Sequence, residues 1–143
     1  SLLRREAIGA WPQMVIEGSN VCELVCRHIF SRGKRVTIES FQVMIDNLKN
    51  DPQWRRMEIS LRGQRHPLLE RIDALRARRN DALHGTRIIQ KEIAVEAREL
   101  ARAMLLRGTN FTESDLDEAP LAPRTVTRMI ETLIDEIEES LWC

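Results

Sequence analysis

Apolar residues recur at three- and four-residue spacing along most of the chain, and no segment sustains an alternation of apolar and polar positions. The pattern predicts an all-α fold. Met14, Gly18, Val21, Cys22, Val25 and Ile29 form a first stripe, with Pro12 suited to the first turn of its helix and Arg32 and Gly33 marking its end. Thr37 reads as the N-cap of a second helix carrying Phe41, Met44, Ile45 and Leu48. Asp51-Pro52, a cap followed by a first-turn proline, opens a short helix with Trp54, Met57 and Leu61 inside and Gly63 as its stop. A helix over about 67–84 turns Leu68, Ile72, Leu75 and Leu83 inward and ends before Gly85. Ile89, Ile93, Ala97, Leu100 and Met104 mark the next one, closed by Gly108, and the short connection predicts that these two lie antiparallel as a hairpin. Residues 109–123 read as a loop with one helical turn after Thr112. Val126, Met129, Ile130, Leu133, Ile134, Ile137 and Leu141 then predict a last helix. Together these elements make a compact bundle of about five to six helices around a core antiparallel hairpin.

The 143 residues fit a single domain over 1–143, and 43% apolar content is enough for one buried core. A charged fraction of 31% with both signs equally represented argues against wholesale disorder, so the composition implies a soluble globular domain. No apolar run approaches the roughly 20 residues that span a bilayer. Three cysteines make no disulfide framework and favour a reducing cytosol. Cys22, Cys26 and His28 hint at a metal cluster, but only the two cysteines share a helix face and no fourth ligand is near in sequence, so they read as core thiols. His28 and His66 stand outside any motif. A chain that opens on Ser1 fits either a processed product or a piece of a longer protein.

Net charge is zero, yet its distribution is lopsided. Residues 1–107 hold 20 basic and 13 acidic side chains, whereas residues 108–143 hold 2 and 9. The stretch 55–87 carries nine arginines against four acids, and arginine outnumbers lysine 19 to 3 across the chain. The planar guanidinium pairs two-pronged with phosphate, so Arg55, Arg56, Arg62, Arg65, Arg76 and Arg78 are candidate phosphate contacts. The alternative is a solvated face balanced by the acidic C-terminal segment.

On the 67–84 helix, Leu68, Ile72 and Leu75 step by four and three, and the next position on the stripe is Arg79. A guanidinium buried without a partner costs several kcal/mol, so Arg79 must pair with an acid, face a second subunit or line a cleft. His84 follows at the helix end, where its imidazole can exchange protons with solvent. Asn80 lies four residues before it, one turn beneath, within reach of orienting the ring.

Arg79-Asn80-Asp81-Ala82-Leu83-His84, followed by Gly85, resembles the Arg-x4-His signature, in its Arg-Asn-x3-His form, of the higher eukaryotes and prokaryotes nucleotide-binding (HEPN) domains. The similarity in helix order covers most of the chain. It implies a small all-α bundle with the motif toward the end of one core helix. It implies a metal-independent endoribonuclease, with no cofactor, acting as toxin or effector of a prokaryotic defence or stress system. It also implies a homodimer with a composite site, RNA as the partner, and room for an antitoxin or activating protein. Arg79, Asn80 and His84 then become the catalytic set. One departure is informative: where some toxin relatives have a tyrosine two residues after the histidine, this chain has Thr86 and no tyrosine anywhere, which excludes neutralisation by modification of that tyrosine. Two other readings share these residues, a catalytically silent HEPN module that binds RNA or nucleotide, and a helical scaffold that only dimerises or docks a partner. On the purely structural reading, Arg79 is a salt-bridged core arginine and His84 caps its helix.

Overall fold

The computed structural model describes residues 2–31, 39–85 and 88–118, with the side chains of 11–30, 39–85 and 88–116. Among them are six helices, α1 (Leu2–Ser31), α2 (Phe41–Lys49), α3 (Pro52–Arg55), α4 (Leu68–His84), α5 (Lys91–Gly108) and α6 (Glu113–Glu118), and a two-stranded antiparallel sheet, β1 (Glu58–Leu61) with β2 (Gln64–Pro67). The helical class is as the periodicity predicts. Thr37, Thr86 and the final stripe from Val126 to Leu141 lie outside the described residues.

α1 is the organising element. Its apolar face, Val15, Val21, Cys22, Val25 and Cys26, is buried and covers both α5 and α4. The seam with α5 is built on small residues: Gly18 faces Ala97, and Gly108 faces Val25 and Ile29, so the two backbones approach closely. α4 and α5 are joined by the expected short connection but share little direct contact; each packs mainly on α1. One exception is Arg71, whose Nε donates to Glu96 Oε1 at 2.6 Å and ties the N-terminal half of α4 to that of α5.

Three boundaries differ from expectation. α1 begins at Leu2 and runs through Pro12, which therefore sits in the helix interior, where its ring nitrogen leaves one i→i−4 bond unmade. Ser40, not Thr37, caps α2, its hydroxyl accepting from Val43 N–H at 3.3 Å. The Asp51-Pro52 start is as read, with Asp51 Oδ1 accepting from Gln53 N–H at 2.9 Å, but α3 lasts only to Arg55. Beyond it the chain forms a hairpin in place of the expected helix. Ile59 and Leu61 turn partly inward while Glu58 and Ser60 face solvent, a period of two. Arg62 and Gly63 both have positive φ, 52° and 76°, the signature of the two-residue turn that matches strand twist. The Met57 carbonyl accepts from Leu68 N–H at 2.9 Å, so the open end of the hairpin supplies the first acceptor for α4.

Arginine at φ 52° is strained in a way asparagine tolerates better. Arg62→Asn is expected to raise stability by roughly 0.5–1 kcal/mol; an unchanged or lowered denaturation midpoint in urea would contradict that turn geometry.

Around Thr112 the expected single turn forms as α6. Thr112 N–H donates to Asp115 Oδ2 at 2.8 Å and Asp115 N–H to Thr112 Oγ1 at 3.2 Å, a reciprocal cap. The donated bonds hold the Asp115 carboxyl below its ordinary range. No described helix is long and apolar enough to cross a membrane.

Candidate functional site

α4 changes character along its length. Leu68, Leu69, Ile72 and Leu75 are buried, and after Leu75 no residue of the helix is. The fully buried stretch ends there; the remaining turns carry Arg76, Arg78, Arg79, Asn80 and His84, and Ala82 still packs against the core. Leu83, expected inward, is 52% exposed; in that turn Ala82, not Leu83, packs against the core. The helix stops at Gly85, whose left-handed φ of 62° allows its N–H to return to the Asp81 carbonyl.

Asn80 and His84 are exposed, and four-residue spacing sets them on one helix face, about 40° apart. Neither side chain makes a hydrogen bond or ion pair among the described residues. Arg79 is elsewhere: five residues separate it from His84, about 140° around the helix, and it points toward α1. There its Nη1 lies 3.6 Å from Glu23 Oε1, and both side chains are about three-quarters buried. Glu23 Oε2 is in turn 3.9 Å from Arg27, whose guanidinium donates to the Glu39 carbonyl at 3.0 Å. Of the three settings open to an arginine on the apolar stripe, the fold provides the first, an internal carboxylate, and the position of Arg79 does not call for a subunit seam. Sequence spacing misses Glu23; its only signal is an acid on the flank of the α1 stripe, four residues before an arginine.

The flanking arginines are scattered over three elements. Arg55 and Arg56 close α3, Arg62 is in the hairpin turn, Arg65 is on β2 opposite Ser60, and Arg78 is on α4; all five are exposed. Arg76 is engaged, its Nε 3.1 Å from Asp73, which also lies 3.5 Å from Lys49. A cleft of about 470 Å³ opens between the hairpin and α5, lined by Leu61, Arg62 and Val95 and by Glu92, Glu96 and Glu99. Its three glutamates outnumber Arg62 and Lys91 on its walls, so the cleft itself is a poor seat for phosphate.

Cys22 and Cys26 are the core thiols their stripe predicts. Burial, then the neighbouring thiol, raises Cys22 well above the usual range; burial, with Glu23 close by, pushes Cys26 up to about 12. Both stay protonated and unreactive at neutral pH. No group of three His, Cys, Asp or Glu among the described residues is arranged to hold a metal ion.

No family model matches the chain, and neither a curated protein nor a solved structure does.

Proposed function

We propose that this chain is a HEPN-type endoribonuclease that cleaves RNA without a metal, as toxin or effector of a prokaryotic defence or stress system. The observation that carries the reading is that Asn80 and His84 are both exposed on one face at the C-terminal end of α4, with Arg79 next to Asn80 in sequence and turned toward α1. In the reaction the ribose 2′-oxygen attacks the neighbouring phosphorus as its proton passes to an imidazole. The bond to the 5′-oxygen breaks as that oxygen takes a proton from a second imidazole. A 2′,3′-cyclic phosphate and a 5′-hydroxyl remain, and a guanidinium stabilises the crowded phosphorane between them. One histidine cannot be base and acid at once, so the reading requires two copies of the chain with His84 of each at a shared site. Leu83 and Ile88, 52% and 84% exposed and bracketing His84, supply apolar surface for that contact.

The test is incubation of the purified protein with structured and unstructured RNAs in EDTA, with product ends identified. Cleavage leaving cyclic phosphates, abolished by 2′-deoxy substitution at the scissile nucleotide, is expected; cleavage of that deoxy-substituted strand would overturn the mechanism. The Arg79–Glu23 pair favours a second reading, a silent module that binds RNA without cutting it, and RNA binding with no cleavage in the same assay would select it.

Binding should be strongly salt-dependent. Each of Arg55, Arg56, Arg62, Arg65 and Arg78 that contacts a phosphate contributes about 0.7 to the slope of log affinity against log salt on a single strand. Alanine at any such contact should lower the slope by about that amount, and Arg76→Ala should lower it less, since Asp73 already holds that guanidinium. An affinity indifferent to salt would remove all six from the RNA path.

A further inference from the structure

We propose that Glu23 is a displaceable internal counter-ion that occupies, at Arg79, the place an RNA phosphate takes on binding. The inference rests on the ribonuclease reading and assigns a role to a residue on a different helix. Arg79 Nη1 and Glu23 Oε1 are 3.6 Å apart, beyond hydrogen-bond length, so the carboxylate is held by charge alone. Both groups keep about a quarter of their surface in solvent, so the pair can be reached from outside. A phosphodiester offers Arg79 what this carboxylate does not, two short bonds to the guanidinium fork.

The displaced carboxylate has somewhere to go. Its second oxygen is already 3.9 Å from Arg27, one turn along α1, and Arg27 is anchored by its bond to the Glu39 carbonyl. Exchange therefore strands no charge: Glu23 closes on Arg27 as the phosphate closes on Arg79. Glu23 then sets a threshold, because every phosphate must compete with it, and nucleic acid that engages Arg79 poorly is rejected. No other described acid lies within ion-pair distance of Arg79; because Glu23→Gln also frees Arg27, the comparison in an Arg79→Ala background is what isolates the effect.

The experiment measures binding of an uncleavable 2′-O-methyl single-stranded oligonucleotide at low salt, for the full chain and for Glu23→Gln, Arg79→Ala and the double variant. Glu23→Gln should bind about three- to tenfold more tightly, and the gain should vanish in the Arg79→Ala background. Glu23→Asp, a methylene shorter, should show a smaller gain of the same sign and covers the case in which the glutamine variant folds poorly. Wild-type binding with no gain in either Glu23 variant, or a gain that persists without Arg79, would overturn the exchange while leaving the ribonuclease reading in place. If no variant bound nucleic acid, the ribonuclease reading itself would fall, and the exchange with it.

Discussion

Gly108→Ala is expected to destabilise the fold by about 1–3 kcal/mol, although alanine at an ordinary helical position would gain close to 1 kcal/mol over glycine. Gly108 is the last residue of α5 and is buried against α1. A Cβ there would enter the van der Waals shell of Val25 Cγ1 and lie 3.1 Å from Ile29 Cδ1. Neither neighbour can yield easily. Val25 is fully buried and its branched side chain is stiff at χ1, so the helix pair must separate or tilt. That seam is the most extensive helix contact in the described fold, so opening it is felt throughout. The check is a double-mutant cycle in urea. Val25→Ala alone creates a cavity and costs stability, but in the Gly108→Ala background it gives the new methyl room, so the two changes together should cost clearly less than their sum. Strict additivity would mean that the close approach of α1 and α5 is not what Gly108 provides.

That seam also shows what the sequence could reveal and what it could not. Gly18 falls on the α1 stripe, which already implies a helix close by, and Gly108 follows the α5 stripe as an apparent stop. Only the fold shows that both glycines serve one interface. α4 was legible for a simple reason: its apolar steps end in a glycine, and periodicity and cap agree. The 57–67 hairpin was ambiguous because Trp54, Met57 and Leu61 satisfy helical spacing while Met57, Ile59 and Leu61 satisfy strand spacing. In so short a run periodicity cannot decide between them. The turn at Arg62-Gly63 and the bond from Leu68 N–H to the Met57 carbonyl decide it, and the latter is a tertiary fact. Leu83 misleads for the opposite reason: its spacing suits the stripe, but in the last turn Ala82 takes the inward position and Leu83 faces solvent.

For the candidate site, the shared face of Asn80 and His84 follows from spacing alone. The position of Arg79 does not, because an ion pair between α4 and α1 depends on how the helices cross. As folded, Glu23 holds Arg79 against α1 while His84 is in solvent, so bringing both to one phosphate requires a second copy to supply one of them, or the release of Glu23.

His84→Ala should lower the RNA cleavage rate by about 10²- to 10⁴-fold with the fold intact. His84 is exposed, has no hydrogen bond or ion pair among the described residues, and plays no part in the helix stop, which the Gly85 N–H makes with the Asp81 carbonyl. Lost activity therefore cannot be charged to lost structure, and an unchanged melting curve should accompany it. Arg79→Ala should be comparably damaging through lost stabilisation of the phosphorane, but it also releases Glu23, so its melting curve is expected to move. Asn80→Ala should cost less, since an aligned ring is an advantage where a proton carrier is a necessity. If one imidazole must be neutral and the other protonated, the rate follows a bell in pH, and chelators leave it unchanged. Mixing wild type with His84→Ala probes the shared site directly. When both histidines are needed, mixed dimers are dead and activity falls as the square of the wild-type fraction. A linear fall would place a complete site in each copy, and undiminished cleavage by the His84→Ala protein alone would end the catalytic assignment.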